Sequence, residues 1–198
     1  MYGSAVYMEK VLKKNSLIKK AVYIALVIVL AVADQLTKYL AVEYIKPAGS
    51  IPLIKIGNTE WLNFTYCENT GMSFSLLEGQ RAILIAIPLL LIAAVTWAVF
   101  SGKLGSGRTD IMIALAALAG GGLGNLIDRV FQGYVVDFID VRIINFAIFN
   151  FADICAVCGG IYFGIMIAVD EIKEEKAKKT EAVSSDESGT EESGNGET

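Results

Sequence analysis

The sequence predicts an all-α membrane protein: four transmembrane helices, with a small extracytoplasmic β-sheet between the first and the second. Three observations predict it. Hydrophobic residues make up 54% of the 198-residue chain and charged residues only 19%, with a mean hydropathy of +0.53, a balance well above the average usage of soluble domains. Four apolar runs come close to or reach the length of about 18–20 residues that a bilayer demands. Basic residues gather at alternate ends of those runs, so that one orientation satisfies all of them.

Residues 1–20 form a basic segment in which Lys10, Lys13, Lys14, Lys19 and Lys20 precede the first span, at 21–40. Ala31, Val32 and Ala33 ahead of Asp34 mimic the cleavage site of a secretory signal. Cleavage there would leave three spans and put the Lys103/Arg108 loop and the C-terminal lysines on opposite sides of the membrane. A retained first helix is therefore expected. The segment of about 40 residues that follows is longer than a simple connection. Within it, 51–56 and 61–66 are rich in β-branched and aromatic residues and flank Gly57-Asn58, a hairpin signal. Trp61, Phe64 and Tyr66 suit an aromatic belt at the membrane interface.

The remaining spans fall at 82–100, 111–127 and 149–169. Lys103 and Arg108 lie between the second and third, and Lys173, Lys176, Lys178 and Lys179 follow the fourth. Both termini are then cytoplasmic, and residues 21–170 make one membrane domain. The net charge of −4 owes much to the end of the chain, where residues 171–198 have little to bury; a disordered cytoplasmic tail is expected there.

Composition also excludes chemistry. The chain has no histidine, which removes the commonest general base and every Ser-His or Cys-His arrangement. Of three cysteines, Cys155 and Cys158 lie in an apolar helical run as small hydrophobes and Cys67 stands alone, so neither a disulfide framework nor a zinc site is expected. The glycines at 120–122 and 124 read as small residues for close helix approach in lipid. A phosphate loop is a poor alternative, because no strand precedes them and no Lys-Ser/Thr follows.

Ionisable residues in such apolar runs cost several kcal/mol unless paired or neutralised. With the orientation above and a rise of about 1.5 Å per residue, they converge at one depth, toward the outer leaflet. Asp34 and Lys38 are i, i+4 neighbours at the end of the first span. Asn125, Asp128 and Arg129 cluster at the end of the third, and Asn150 and Asp153 open the fourth. Asp34 with Lys38, and Asp128 with Arg129, have a structural reading as self-neutralising pairs. Asp153 has no basic residue within a turn, so its partner comes from elsewhere, and Asp137, among Val135, Val136, Phe138 and Ile139, is the best candidate. Two carboxylates brought close in a low-dielectric site share a proton. That is the arrangement by which aspartic peptidases activate water.

Five ordered blocks carry a family resemblance: Asp34-Gln35-Leu36-Thr37-Lys38, Asn69-Thr70-Gly71-Met72-Ser73-Phe74, Gly124-Asn125-Leu126-Ile127-Asp128-Arg129, Val135-Val136-Asp137-Phe138 and Phe149-Asn150-Phe151-Ala152-Asp153. Through them the chain resembles the lipoprotein signal peptidases, or signal peptidase II, the intramembrane aspartic peptidases of bacteria. The resemblance implies a multi-pass protein of the bacterial inner membrane that removes the signal peptide from prolipoproteins by cleaving before the diacylglyceryl-modified cysteine. It implies Asp137 and Asp153 as the catalytic pair, with Asp34, Lys38, Asn69, Gly71, Asn125, Asp128, Arg129 and Asn150 binding substrate or supporting the pair. Ser73 departs from the family's usual alanine, a small-for-small change. Lipidated prolipoproteins and membrane lipid are the expected partners, with no nucleic acid; no metal or organic cofactor is expected, and the enzyme is expected to act as a monomer.

Three other classes compete. A proton- or ion-coupled transporter also uses intramembrane Asp and Lys, but should show repeat symmetry and polar residues at the midplane, and neither is seen. A scaffold leaves Asp137 and Asp153 without a purpose. A Ser-Lys enzyme based on Lys38 lacks a serine in a compelling relation to it.

Overall fold

The computed structural model describes all residues except 1, 72–78, 105–107, 145 and 192–198, with the backbone alone at 2–15 and 181–191. Of the predicted blocks, Met72, Ser73 and Phe74 lie outside the described residues. Helices are α1 (Tyr2–Leu40), α2 (Arg81–Phe100), α3 (Thr109–Phe131) and α4 (Phe151–Glu191); strands are β1 (Ser50–Ile56), β2 (Thr59–Asn69) and β3 (Val135–Asp140). Each helix contains a stretch long and apolar enough to cross a membrane: Ser16–Ile45, which includes the π-helical turn Ala41–Ile45, then Arg81–Phe100, Thr109–Phe131 and Phe151–Thr180. The first three predicted spans fall within these, and the fourth, 149–169, begins two residues ahead of α4, because Phe149 is bridged to Ile139.

The chain divides into two compact units, 1–160 and 161–198. In the first, α3 is the central helix. Its apolar window is 56% buried, against 17% in each of the other three, and its glycines make that possible. A Cβ on Gly121 would overlap the Ala152 carbonyl oxygen of α4, and one on Gly120 would come 2.9 Å from Leu30 Cβ of α1. Gly159 returns the favour from α4, where a Cβ would lie 2.8 Å from the Leu118 backbone nitrogen. Close approach of this kind replaces the hydrophobic drive that lipid removes.

The sheet is antiparallel, in the order β1-β2-β3. The predicted hairpin supplies β1 and β2, turning at Gly57 with φ +61°. The third strand comes from the connection between α3 and α4, which sequence reading left without structure. Along β3 the side chains alternate: Val136 and Phe138 join Ala41 and Ile45 from the end of α1 in a core cluster that Phe64 and Tyr66 pack against. Phe64 meets Phe138 edge to face at 5.9 Å, so it packs on this cluster. Asp137 projects from the opposite face. On its free edge β3 bridges to Phe149, which both donates to and accepts from Ile139 (3.1 and 2.8 Å). This bridge delivers the start of α4 to Asp137.

In the second unit α4 continues as helix to Glu191, where a disordered tail was expected from residue 171. The reason lies in residues that favour helix: Glu, Lys and Ala dominate 171–182, and Glu175 pairs with Lys179 at i, i+4 (2.7 Å), a stabilising orientation.

Candidate active site

Two groups of acids meet where α1, α3, β3 and α4 converge. The first is an ion cluster. Lys38 places its ammonium 2.8 Å from Asp34 and 2.9 Å from Asp128, with all three side chains at most 3% exposed. Asp34 also accepts the Ala152 backbone N–H of the first turn of α4 (2.9 Å), where the helix dipole favours negative charge. Gly124 is required beside it, because a Cβ there would overlap the Asp34 carboxylate. Asp128 accepts from Gln35 Nε2 (2.9 Å) and from the Val136 N–H (3.2 Å), which pins the start of β3 to the end of α3.

The second group is held by amides. Asn150 precedes α4 and forms a reciprocal cap with Asp153: the Asp153 N–H donates to Asn150 Oδ1 (3.0 Å) and the Asn150 N–H donates to Asp153 Oδ2 (3.1 Å). This is a capping box with Asn and Asp in place of Ser and Glu. The same Asn150 donates through Nδ2 to Asp137 Oδ1 at 2.6 Å, so one residue spans both acids, by its side chain to Asp137 and by its backbone N–H to the Asp153 carboxylate. Asn125 donates to Asp153 Oδ1 (2.8 Å), and its own Oδ1 accepts from Lys38 and Asn150 (2.8 and 3.1 Å). On the other side Asn69 Nδ2 donates to Asp137 Oδ2 (2.9 Å), while its Oδ1 accepts the Gly71 N–H (3.0 Å).

Asp137 is 2% exposed. Burial pushes its carboxyl up to about 6; the Asn69 and Asn150 donors and the Lys38 charge pull the other way, and the Asp153 charge adds to the rise. Burial and the Asp137 charge also push up the Cys67 thiol, which faces Asp137 across the β2–β3 register. A thiolate nucleophile is therefore disfavoured there.

Asp137 and Asp153 lie on the wall of a cavity of about 430 Å³. Asn69, Asn125 and Arg129 line its polar end. Phe146–Phe149, Ile154, Val157 and Cys158 line the rest, an apolar surface with three exposed α4 residues, Ile154, Val157 and Cys158. Among the described residues no three His, Cys, Asp or Glu side chains come together as metal ligands.

The structure brings the predicted residues into this one region, with one correction. Asp128 is neutralised by Lys38 and not by Arg129, because successive helical residues do not face each other. Arg129 turns instead to the Gly71 carbonyl (2.9 Å). Sequence reading missed Gln35 as a site residue, and the apolar cavity wall. Gln35 carried a signal, a polar amide in an apolar run directly after Asp34; the wall carried none, since its residues are unremarkable apolar positions.

Four membrane-long helices among the described residues, a chain without histidine and an aspartate pair at a cavity, Asp137 buried and Asp153 half-buried, define a class: a multi-pass membrane protein of the aspartic peptidase kind. Residues 26–169 match the family Peptidase_A8, described as signal peptidase (SPase) II, and the chain belongs to that family. It is 40% identical over 134 residues to the lipoprotein signal peptidase of Caldanaerobacter subterraneus subsp. tengcongensis, covering 68% of this chain and 87% of that one. To the lipoprotein signal peptidase of Streptococcus pneumoniae it is 34% identical over 154 residues, covering 78% and 97%. A solved bacterial membrane enzyme, determined by the in meso method at 2.3 Å resolution, superposes with a TM-score of 0.67 at 30% identity, over 79% of this chain and 92% of the other.

Proposed function

We propose that this peptidase removes the signal peptide of prolipoproteins by hydrolysing the bond before a diacylglyceryl-modified cysteine, with Asp137 and Asp153 as the acid–base pair. The observation that carries this reading is Asn150, which hydrogen-bonds both acids at the cavity wall. Two carboxyls sharing one proton divide the work. The ionised one takes a proton from water as the oxygen attacks the scissile carbonyl carbon. The protonated one polarises the carbonyl oxygen, and a proton passes to the departing nitrogen as the C–N bond breaks. The products are a signal peptide ending in a carboxylate and a lipidated cysteine with a free amine.

Both termini lie in the cytoplasm and the pair faces the outer leaflet, as the distribution of basic residues favours. There the substrate presents its cleavage point while its acyl chains stay in lipid. The ion cluster of Asp34, Lys38 and Asp128 supports the pair by fixing the ends of α1 and α3 against the start of α4. The test is incubation of the purified protein in lipid with a precursor carrying the diacylglyceryl-modified cysteine, followed by mass analysis. The expected product begins at the modified cysteine; cleavage elsewhere, or equal cleavage of a precursor without the lipid, would contradict the reading.

A further inference from the structure

The geometry points to Arg81, the first residue of α2, as a positioning residue for the Asp137 carboxylate, acting through Arg129, the backbone of Gly71 and the side-chain amide of Asn69. The inference rests on the role proposed for Asp137. Five hydrogen bonds make the connection. The Arg81 guanidinium donates through Nε to the Arg129 carbonyl (2.9 Å) and through Nη2 to the Val130 carbonyl (2.8 Å). These are among the last carbonyls of α3, which have no partner within their own helix. From the residue so anchored, Arg129 Nη2 donates to the Gly71 carbonyl (2.9 Å), a buried contact. The Gly71 N–H donates to Asn69 Oδ1 (3.0 Å), which fixes the amide so that Nδ2 points at Asp137 Oδ2 (2.9 Å).

The chemistry of the first link is specific to arginine. A planar guanidinium presents two N–H groups to two neighbouring carbonyls, whereas an ammonium on a flexible stem cannot hold that fork. The guanidinium also lies against Gly133, where a Cβ would stand 3.5 Å from Nη1 and where φ is +86°. Gly133 ends α3 through its N–H to the Asp128 carbonyl (3.2 Å) and leads into β3, the strand of Asp137. Arg81 thus braces both approaches to the carboxylate, from Asn69 and from the turn ahead of β3.

Arg81 touches neither the cavity nor either acid in any of these contacts, so its effect is on the placement of Asn69. Charged or titratable groups bear on Asp137 from every side: Lys38 on α1, Cys67 on β2, Arg129 on α3 and Asp153 on α4. None of these is replaced when Arg81 is changed. Loosening the Asn69 donor alone removes a contact that favours the ionised form, so the Asp137 carboxyl should titrate higher.

The experiment compares Arg81→Ala, Arg81→Lys and Asp137→Asn with the parent chain, purified in lipid. Two readouts are used: cleavage kinetics on the lipidated precursor, and infrared titration of the carboxyl signal that disappears in Asp137→Asn. Arg81→Ala is expected to lower kcat about 10- to 100-fold, the scale of a misplacement of about 1 Å, with KM little changed and the Asp137 titration moved to higher pH; Arg81→Lys should recover part of both. An unmoved titration midpoint in Arg81→Ala overturns the inference, even if activity falls with the amount of folded protein. The reading of Asp137 fails separately, if Asp137→Asn still cleaves, because the infrared midpoint needs no catalysis.

Discussion

At the end of α1, Asp34 and Asp128 share one buried ammonium, and neither is measurably exposed. A few ångströms across Asn125, Asp137 and Asp153 are as firmly held, but their hydrogen bonds come from the neutral amides of Asn69, Asn125 and Asn150. The two pairs contain the same side chain, but Asp34 and Asp128 are sealed from solvent while Asp137 and the half-buried Asp153 line the cavity, and their donors differ. An ammonium fixes the charge of its partners and makes them structural. An amide fixes position while leaving the proton free to move, which is what acid–base chemistry needs. Asn125 joins the two regions, since its Oδ1 accepts from Lys38 while its Nδ2 donates to Asp153.

The contrast can be broken most severely at Lys38. Lys38→Met strips the cation from two buried carboxylates at once, and a loss of about 3–5 kcal/mol is expected from leaving such charges unpaired. Thermal unfolding in detergent micelles measures it. Gly124→Ala should cost less, about 1–3 kcal/mol, because the new methyl must displace the Asp34 carboxylate from its place between Lys38 and Ala152. The same measurement applies, and an unchanged melting temperature would mean that the close approach is not required.

Asn69→Ala acts on the other region and sharpens the comparison by pH. With the Asp137 carboxyl held at about 6, its proton is lost as pH rises through that value, and kcat/KM should fall with it if the pair works with one proton. Removing the Asn69 donor takes away a contact that lowers this value, so the alkaline limb should move to higher pH. Its net cost in stability is small, about 0.5–1.5 kcal/mol for one hydrogen bond. A limb that stays in place or moves down would separate Asn69 from the acid.

Much of this was legible in the sequence, and what was not has a physical cause. The four spans announce themselves by apolar length, and the β1–β2 hairpin by β-branched and aromatic residues around Gly57-Asn58. Strand β3 did not, because a six-residue run with acids at Asp137 and Asp140 matches no alternation that would identify a strand by itself; its partners, β2 and Phe149, supply the definition. Asp153 could be recognised as needing a partner from elsewhere, but not as held by Asn125 and Asn150, since the first of these lies on another helix. The pairing of Lys38 with Asp128 was hidden for the same reason, and adjacency in sequence offered Arg129 in its place. Arg81 at the head of α2 drew no reading from the sequence, and only the meeting of α2 with the end of α3 gives it partners.

The most direct test compares Asp137→Asn with Asp128→Asn in two measurements, cleavage of the lipidated precursor and thermal stability at pH 8. The Asp137 carboxyl titrates at about 6 in the folded chain against an ordinary 3.8. The folded state therefore holds this proton the more tightly: the contribution of this group to stability is greatest below pH 3.8, declines as pH rises to about 6, and stays lower above it. Replacing this acid by its neutral amide relieves that cost, while replacing Asp128 leaves Lys38 with one partner fewer. The account predicts that Asp137→Asn loses about 10²- to 10⁴-fold in cleavage rate and is at least as stable as the parent chain at pH 8, whereas Asp128→Asn is less stable. Cleavage by Asp137→Asn within a few-fold of the parent, or a loss of stability equal to that of Asp128→Asn, would contradict it.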